Sequence, residues 1–189
     1  MEAMIIGNQP VCLSGGAEGA DLQWGMVAGT MGHQVIHFSF RGHRSLAPES
    51  ELVVLPEEML LEADEALMIA NERLRRKFPS GNHYVNCLLR RNFWQIKYAT
   101  SIYAVSHIDD QGRVSGGTAW AVQMFIDRND IRHPAYVFDQ NKSQWLVWDR
   151  EWKSIDMPPV PNGVWTGVGT RNLNANGKAA IRNLLGYTA

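Results

Sequence analysis

The feature that most constrains this chain is one pattern used three times: a short apolar run, a glycine-containing turn, then the start of a helix. It appears at Ser14-Gly15-Gly16-Ala17-Glu18-Gly19-Ala20-Asp21, at Ser115-Gly116-Gly117-Thr118-Ala119-Trp120 and at Thr166-Gly167-Val168-Gly169-Thr170-Arg171. Glycine lets the backbone approach a ligand closely and present its N–H groups, and the following helix points its positive dipole end at the same place. In an open parallel sheet such turns gather at the carboxyl ends of the strands, where ligands bind. A single turn of this kind serves any tight strand-to-helix connection. Three in a chain of 189 residues argue for a shared purpose.

The rest of the pattern fits an alternation of strands and helices. Pro10–Ser14 reads as a buried strand, Asp21–Met31 as a helix with a face of small residues, and His33–Phe38 as the next strand, together one βαβ unit. A polar loop spans 40–46. Leu60, Leu61, Leu67, Met68 and Leu74 recur at helical intervals and predict one long helix over 57–78, stopped by Pro79-Ser80-Gly81. A second helix is expected over 84–100, a strand over 101–106, a turn at Asp109–Gly112, a loop and helix over 116–128 and a strand over 135–138. Residues 143–155 alternate aromatic and polar side chains and predict an antiparallel hairpin, with Trp145 and Trp148 covering a sheet edge or stacking on a ligand. After the proline-rich 157–161, residues 163–189 supply a last βα unit. The expected architecture is a single α/β domain over 1–189, a three-layer Rossmann-like sandwich with a mostly parallel sheet plus the small hairpin.

Composition narrows the function. A net charge of −1 leaves no general nucleic-acid footprint, although Arg73, Arg75, Arg76, Lys77, Arg90 and Arg91 could form a local basic patch. No run is long and apolar enough to span a bilayer and the first residues do not read as a secretory signal, so no membrane association and a cytoplasmic location are expected, in a cell or an infected host. Cys12 and Cys87 fit neither a metal-ligand spacing nor a disulfide framework, and Cys12 within an apolar strand reads as a buried thiol. Among the six histidines only His33 and His37 are four apart, and they fall on a strand; no metal and no cofactor are expected. His43 and Arg44 could reach a pocket mouth from the 40–46 loop.

Ser14–Asp21 resembles the first signature loop of the SLOG superfamily, which includes the lonely-guy phosphoribohydrolases, the DNA-processing protein A family and the molybdenum carrier family. Arg91-Asn92, on a helix before a strand, resembles the superfamily's helical arginine position, and Gly116-Gly117-Thr118 resembles its second loop, PGGxGTxxE in the phosphoribohydrolases. The resemblance covers roughly residues 10–139. Thr166–Arg171 resembles the segment with which many such domains begin, yet stands near the C-terminus, as a circular permutation would place it; the molybdenum carrier branch is permuted in that way. The resemblance implies a nucleotide-like ligand and a homo-oligomer. One departure matters: the phosphoribohydrolase glutamate falls at Ala121, which can neither steady an oxocarbenium-like centre nor move a proton.

The candidate ligand- and phosphate-binding residues are therefore Ser14, Gly15, Gly16, Gly19, Asp21, Arg91, Gly116, Gly117, Thr118, Gly167 and Arg171. Arg91 suits phosphate because a guanidinium forks onto its oxygens. Asp21 either partners the start of its helix or reads a ligand hydroxyl. If the ligand is cleaved, Glu18 is the first replacement for the missing carboxylate, ahead of Glu62, Asp64 and Glu65 on the long helix. The expected function is binding of a nucleotide or nucleotide-derived ligand as a sensor, carrier or sequestering protein. The alternatives are hydrolysis of a nucleoside monophosphate at its N-glycosidic bond, and carriage of a molybdenum oxyanion; association with DNA is disfavoured by the charge.

Overall fold

The computed structural model describes residues 9–128 and 132–188. Strand β1 (Val11–Ser14), helix α1 (Ala20–Thr30) and strand β2 (Gln34–Phe40) form the expected first βαβ unit. A single 3-10 turn at 49–51 leads into β3 (Leu52–Leu55), followed by α2 (Glu57–Leu61), α3 (Asp64–Leu74) and α4 (His83–Ile96). Next come β4 (Ser101–Ser106), α5 (Thr118–Asp127), β5 (Ala135–Asp139), the hairpin β6 (Gln144–Asp149) and β7 (Glu151–Ile155), and finally β8 (Val164–Gly169) and α6 (Ala175–Leu184).

Among the described residues the eight strands join one sheet in the order β3-β2-β1-β8-β4-β5-β6-β7. The six from β3 to β5 are parallel, and the hairpin extends the far edge in antiparallel register, with Phe138 opposite Trp145 and Trp148 opposite Trp152. The strands alternate between two buried faces, as a parallel sheet covered on both sides requires. Leu13, Phe38, Ile102 and Val137 pack with Leu60, Leu67, Leu89, Trp94, Trp120 and Phe125 beneath α2–α5. Cys12, Tyr103, Tyr136 and Trp165 pack with Trp24, Val27, Ile181 and Leu184 beneath α1 and α6. From the centre, β1 leads outward to β2 and β4 leads outward to β5 in opposite directions. Crossovers of one hand running in opposite directions place α1 and α5 on opposite faces, and a crevice opens where the order reverses.

One expectation is corrected, and one strand is added that the pattern did not show. The helix over 57–78 is two helices: N–H bonds from Glu62 to Met59 and from Ala63 to Leu60 tighten one turn between them, and the second ends at Leu74 because Arg75 takes a left-handed conformation (φ 52°). Phe78 then leaves the helical path and packs against Trp120, ring centres 6.2 Å apart. The residues 52–55, given no strand by the pattern, form an edge strand beside β2.

Candidate functional site

The loop after β4 is the most exposed of the three glycine turns. The chain leaves Ser106, makes the turn at 109–112, and returns through Gly116, whose φ of 66° suits glycine, to Gly117, the N-cap of α5. Two side chains orient this loop by taking its carbonyls. Arg76 Nη1 donates to the Gly116 oxygen at 2.6 Å, and Asn92 Nδ2 donates to the Gly117 oxygen at 3.3 Å. The N–H groups of Gly116, Gly117, Thr118 and Ala119 have no acceptor among the described residues, and Gly117 contributes no side-chain cap. Four unmatched donors at the positive end of a helix form an anion-binding arrangement.

Beside this loop lies a buried network centred on Asp21. Its Oδ2 accepts from Arg91 Nη1 at 3.0 Å and from Gln95 Nε2 at 3.2 Å, and its Oδ1 accepts from the Gly169 N–H at 2.9 Å. The carboxylate thus ties α1 to α4 and to the end of β8, and is not free for a ligand hydroxyl. Arg91 keeps an Nε–H that is buried and without an acceptor. Gly15 is required because a β-carbon there would overlap the Arg91 guanidinium.

The first and third loops lock onto each other. Ala20 N–H donates to the Thr170 carbonyl at 3.0 Å, Thr170 N–H donates to Val105, and a β-carbon on Gly19 would strike the backbone of Thr170 and Arg171. Gly16 (φ 62°) lies under Ser45 and Ala47, Gly167 under the Trp24 ring, and Ser14 Oγ sits 2.6 Å from the Gly167 carbonyl oxygen. Ser14, Gly15, Gly16, Gly19 and Gly167 therefore serve close packing, outside the cavity wall.

The cavity itself has a volume of about 440 Å³ and opens at the reversal of strand order. The structure brings Glu18, Asp21, Arg91, Gly116, Gly117, Thr118 and Arg171 together around it. Asn92, Gln95, Ser106, Ser115, Thr170 and Asn172 also line it, and none of these is a candidate ligand contact from the sequence. Ser115, Thr170 and Asn92 do lie in or beside segments that the sequence pattern marks, whereas Gln95, Ser106 and Asn172 carry no local pattern. Val85, Leu88 and Leu89 of α4 supply an apolar wall. Ala121, where the resemblance to the phosphoribohydrolases would put their glutamate, lies in the wall. Of the carboxylates among the described residues, only Glu18 and Asp21 line the cavity, and of these two Glu18 is not engaged by the described residues. Glu62 pairs with Lys97 and Asp64 with Arg90, and neither belongs to the cavity wall; nor does Glu65.

His43 does not reach the cavity. It stacks on Phe40 at 5.0 Å and meets Ser39 Oγ at 3.1 Å, and Arg44 is likewise absent from the wall. His37 is fully buried with neither ring nitrogen hydrogen-bonded. Burial and then the charge of Arg91 push both histidines down to about 4. The 3.6 Å approach of His37 Nε2 to Glu51 is accordingly not an ion pair at neutral pH. Cys12 and Cys87 are free and buried, and burial raises both thiols above their usual range. Among the described residues no three histidines, cysteines or carboxylates cluster as a metal site, and no helix is long and apolar enough to cross a membrane.

Compared with models of known protein families, with curated proteins and with solved structures, the chain matches none.

Proposed function

We propose that the cavity binds a nucleotide or nucleotide-derived ligand by its phosphate, and that the protein acts as a sensor, carrier or sequestering protein for it. The observation that carries this reading is the set of four unmatched N–H groups from Gly116 to Ala119, at the N-terminus of α5 and beside a cavity of about 440 Å³. That volume falls in the range of small-ligand sites. The phosphate sits on these donors, with charge from Arg91 and from the exposed Arg171 at the rim, while the α4 wall of Val85, Leu88 and Leu89 takes the less polar part. Asp21 acts as the internal brace that holds Arg91 in place. The placement of β8 between β1 and β4 supports reading the chain as a circularly permuted SLOG-type domain, with the C-terminal βα unit completing the centre of the sheet.

Ala121 in the cavity wall favours binding over cleavage, because base release needs a carboxylate there and the remaining one, Glu18, is exposed. A thermal-shift screen with mononucleotides, cyclic and ADP-ribose-type nucleotides and molybdate, each mixture then separated by chromatography, tests the reading. A nucleotide that stabilises the protein and returns intact supports it. A free base would make the protein a phosphoribohydrolase and direct attention to Glu18; a response to molybdate alone would make it an oxyanion carrier. No response to any ligand would overturn the proposal. Light scattering on the same samples reads the homo-oligomer that the SLOG reading implies.

A further inference from the structure

Ser115 and Gly116 also wall a second cavity, of about 460 Å³, whose other walls come from the end of α3, the 109–114 turn, α5 and the hairpin. Four guanidinium groups meet there: Arg73, Arg75, Arg76 and Arg113. Among the described residues Asp109 is the sole carboxylate in its wall, and it is already held by Arg113 at 2.8 Å. The side chains of Arg73 and Arg75 make no hydrogen bond or ion pair with the described residues; Asp127 feels the charge of Arg73 without touching it. Arg76 spans to the Gly116 and Val114 carbonyls, at 2.6 and 3.4 Å, and burial together with the nearby Arg113 makes it less basic than usual. Like charges gathered in one concavity with so little compensation are relieved by a bound anion.

The opposite wall is aromatic. Trp148 and Trp152, cross-strand partners on β6 and β7, meet edge to face with ring centres 5.1 Å apart, and both are only half-buried. Trp145, on the same strand as Trp148, is buried against Phe138 and has no part in this cavity. Indole rings stack well on a flat base, and guanidinium groups fork onto phosphate oxygens. Arg75 adds a backbone argument: it holds a left-handed φ of 52°, a conformation for which glycine is better suited, and in doing so its side chain lines the cavity.

We propose that this cavity is a second ligand site, for a nucleoside polyphosphate whose base lies against Trp148 and Trp152 and whose phosphates lie among Arg73, Arg75, Arg76 and Arg113. A long nucleic acid is the poorer fit. Within the basic run over 73–91, Arg73, Arg75 and Arg76 line this one cavity, whereas Arg90 and Arg91 are spent on Asp64 and Asp21, so the run forms no continuous track. Through Arg76, this site also touches the loop whose Gly116, Gly117 and Thr118 line the first cavity.

Calorimetric titration of the whole chain with ATP and with inorganic triphosphate tests the proposal. It is run in wild type and in Gly117→Glu, which sets a carboxylate where the first cavity would hold phosphate. Binding of ATP that survives in Gly117→Glu, and is tighter than that of triphosphate, is the expected result. Arg73→Glu and Arg75→Gly should each weaken it about tenfold or more, the scale of a lost charged hydrogen bond. Because glycine suits the backbone at 75, Arg75→Gly should do so without lowering the melting temperature, which a merely structural role could not explain. Trp148→Ala should bring ATP down to the affinity of triphosphate. The proposal is overturned if ATP fails to bind at millimolar concentration, or if both arginine variants bind it as wild type does. Loss of binding in Gly117→Glu, or a preference for single-stranded oligonucleotides that grows with their length, would also overturn it.

Discussion

Asp21 shows how one side chain decides what its neighbours can do. With three donors satisfied by a single carboxylate, the Asp21–Arg91 pair is buried and fully used on one side and leaves an unmatched Nε–H on the other. Removing either partner strands a charge, so Arg91→Ala and Asp21→Ala are each expected to cost about 3–5 kcal/mol of stability in urea unfolding. An unchanged midpoint for either would mean that the pair contributes no net stability. The same geometry separates two glycines that look alike in the sequence. Gly15→Ala forces a methyl onto the Arg91 guanidinium and should lose a comparable amount, whereas Gly117 has an ordinary φ of −67° and open space around its Cα. Gly117→Ala should therefore keep its stability within about 1 kcal/mol of wild type. Unfolding curves for the two variants that coincide would refute this distinction.

At the scale of elements, the helices begin where side chains can take their free N–H groups, or where those groups are left for something else. Asn82 caps α4 by accepting from Val85 N–H at 3.2 Å, and Asn174 caps α6 by accepting from Gly177 N–H at 2.9 Å. Asn174 also donates to the Gln140 carbonyl, while Gln140 Oε1 accepts from the Asn174 N–H, so the cap fixes α6 to the end of β5. Asn174→Ala should destabilise the protein by about 1–2 kcal/mol, the usual worth of such a cap. A melting temperature equal to wild type would show that the link to Gln140 carries no stability. Helix α5 has no such cap, and its N-terminus borders the candidate site.

The whole molecule inherits a pH dependence from the buried β2 strand. His37 and the nearby His43 are held neutral, with pKa values of about 4 against an ordinary 6.5. Between those values the unfolded chain takes up protons that the folded one does not, so stability is full above about pH 6.5 and declines as pH falls towards 4. A tenfold difference in proton affinity between the folded and unfolded chain is worth about 1.4 kcal/mol. The raised carboxyl of Glu51 opposes part of the loss, so a net fall of about 1–3 kcal/mol is expected from His37. His37→Leu, which cannot protonate, should flatten the slope measured by unfolding at a series of pH values. A slope as steep as that of wild type would place its origin elsewhere.

Read as a sequence, the chain already specifies most of its strands and helices, because period-two and helical runs bounded by glycine and proline are local properties. The three glycine turns and their convergence follow from the same logic once a parallel sheet is assumed. Short or interrupted elements were not legible: Leu52–Leu55 is too brief to show a period, and the helix over 57–78 breaks where buried Leu60, Ala63 and Leu67 follow the sheet rather than one straight axis. Nor could the sequence sort the glycines. Gly15, Gly19 and Gly167 are small because Arg91, the 170–171 backbone and Trp24 press against them, and those partners lie far away along the chain. The roles of Asp21 and of the arginines over 73–91 were likewise set by distant partners, Gly169, Asp64 and Arg113 among them. Local pattern fixes which elements form, since backbone propensity and periodicity act over a few residues. Which polar groups are consumed and which remain free depends on the partners that folding brings within hydrogen-bonding distance, and that was decided by the tertiary structure alone.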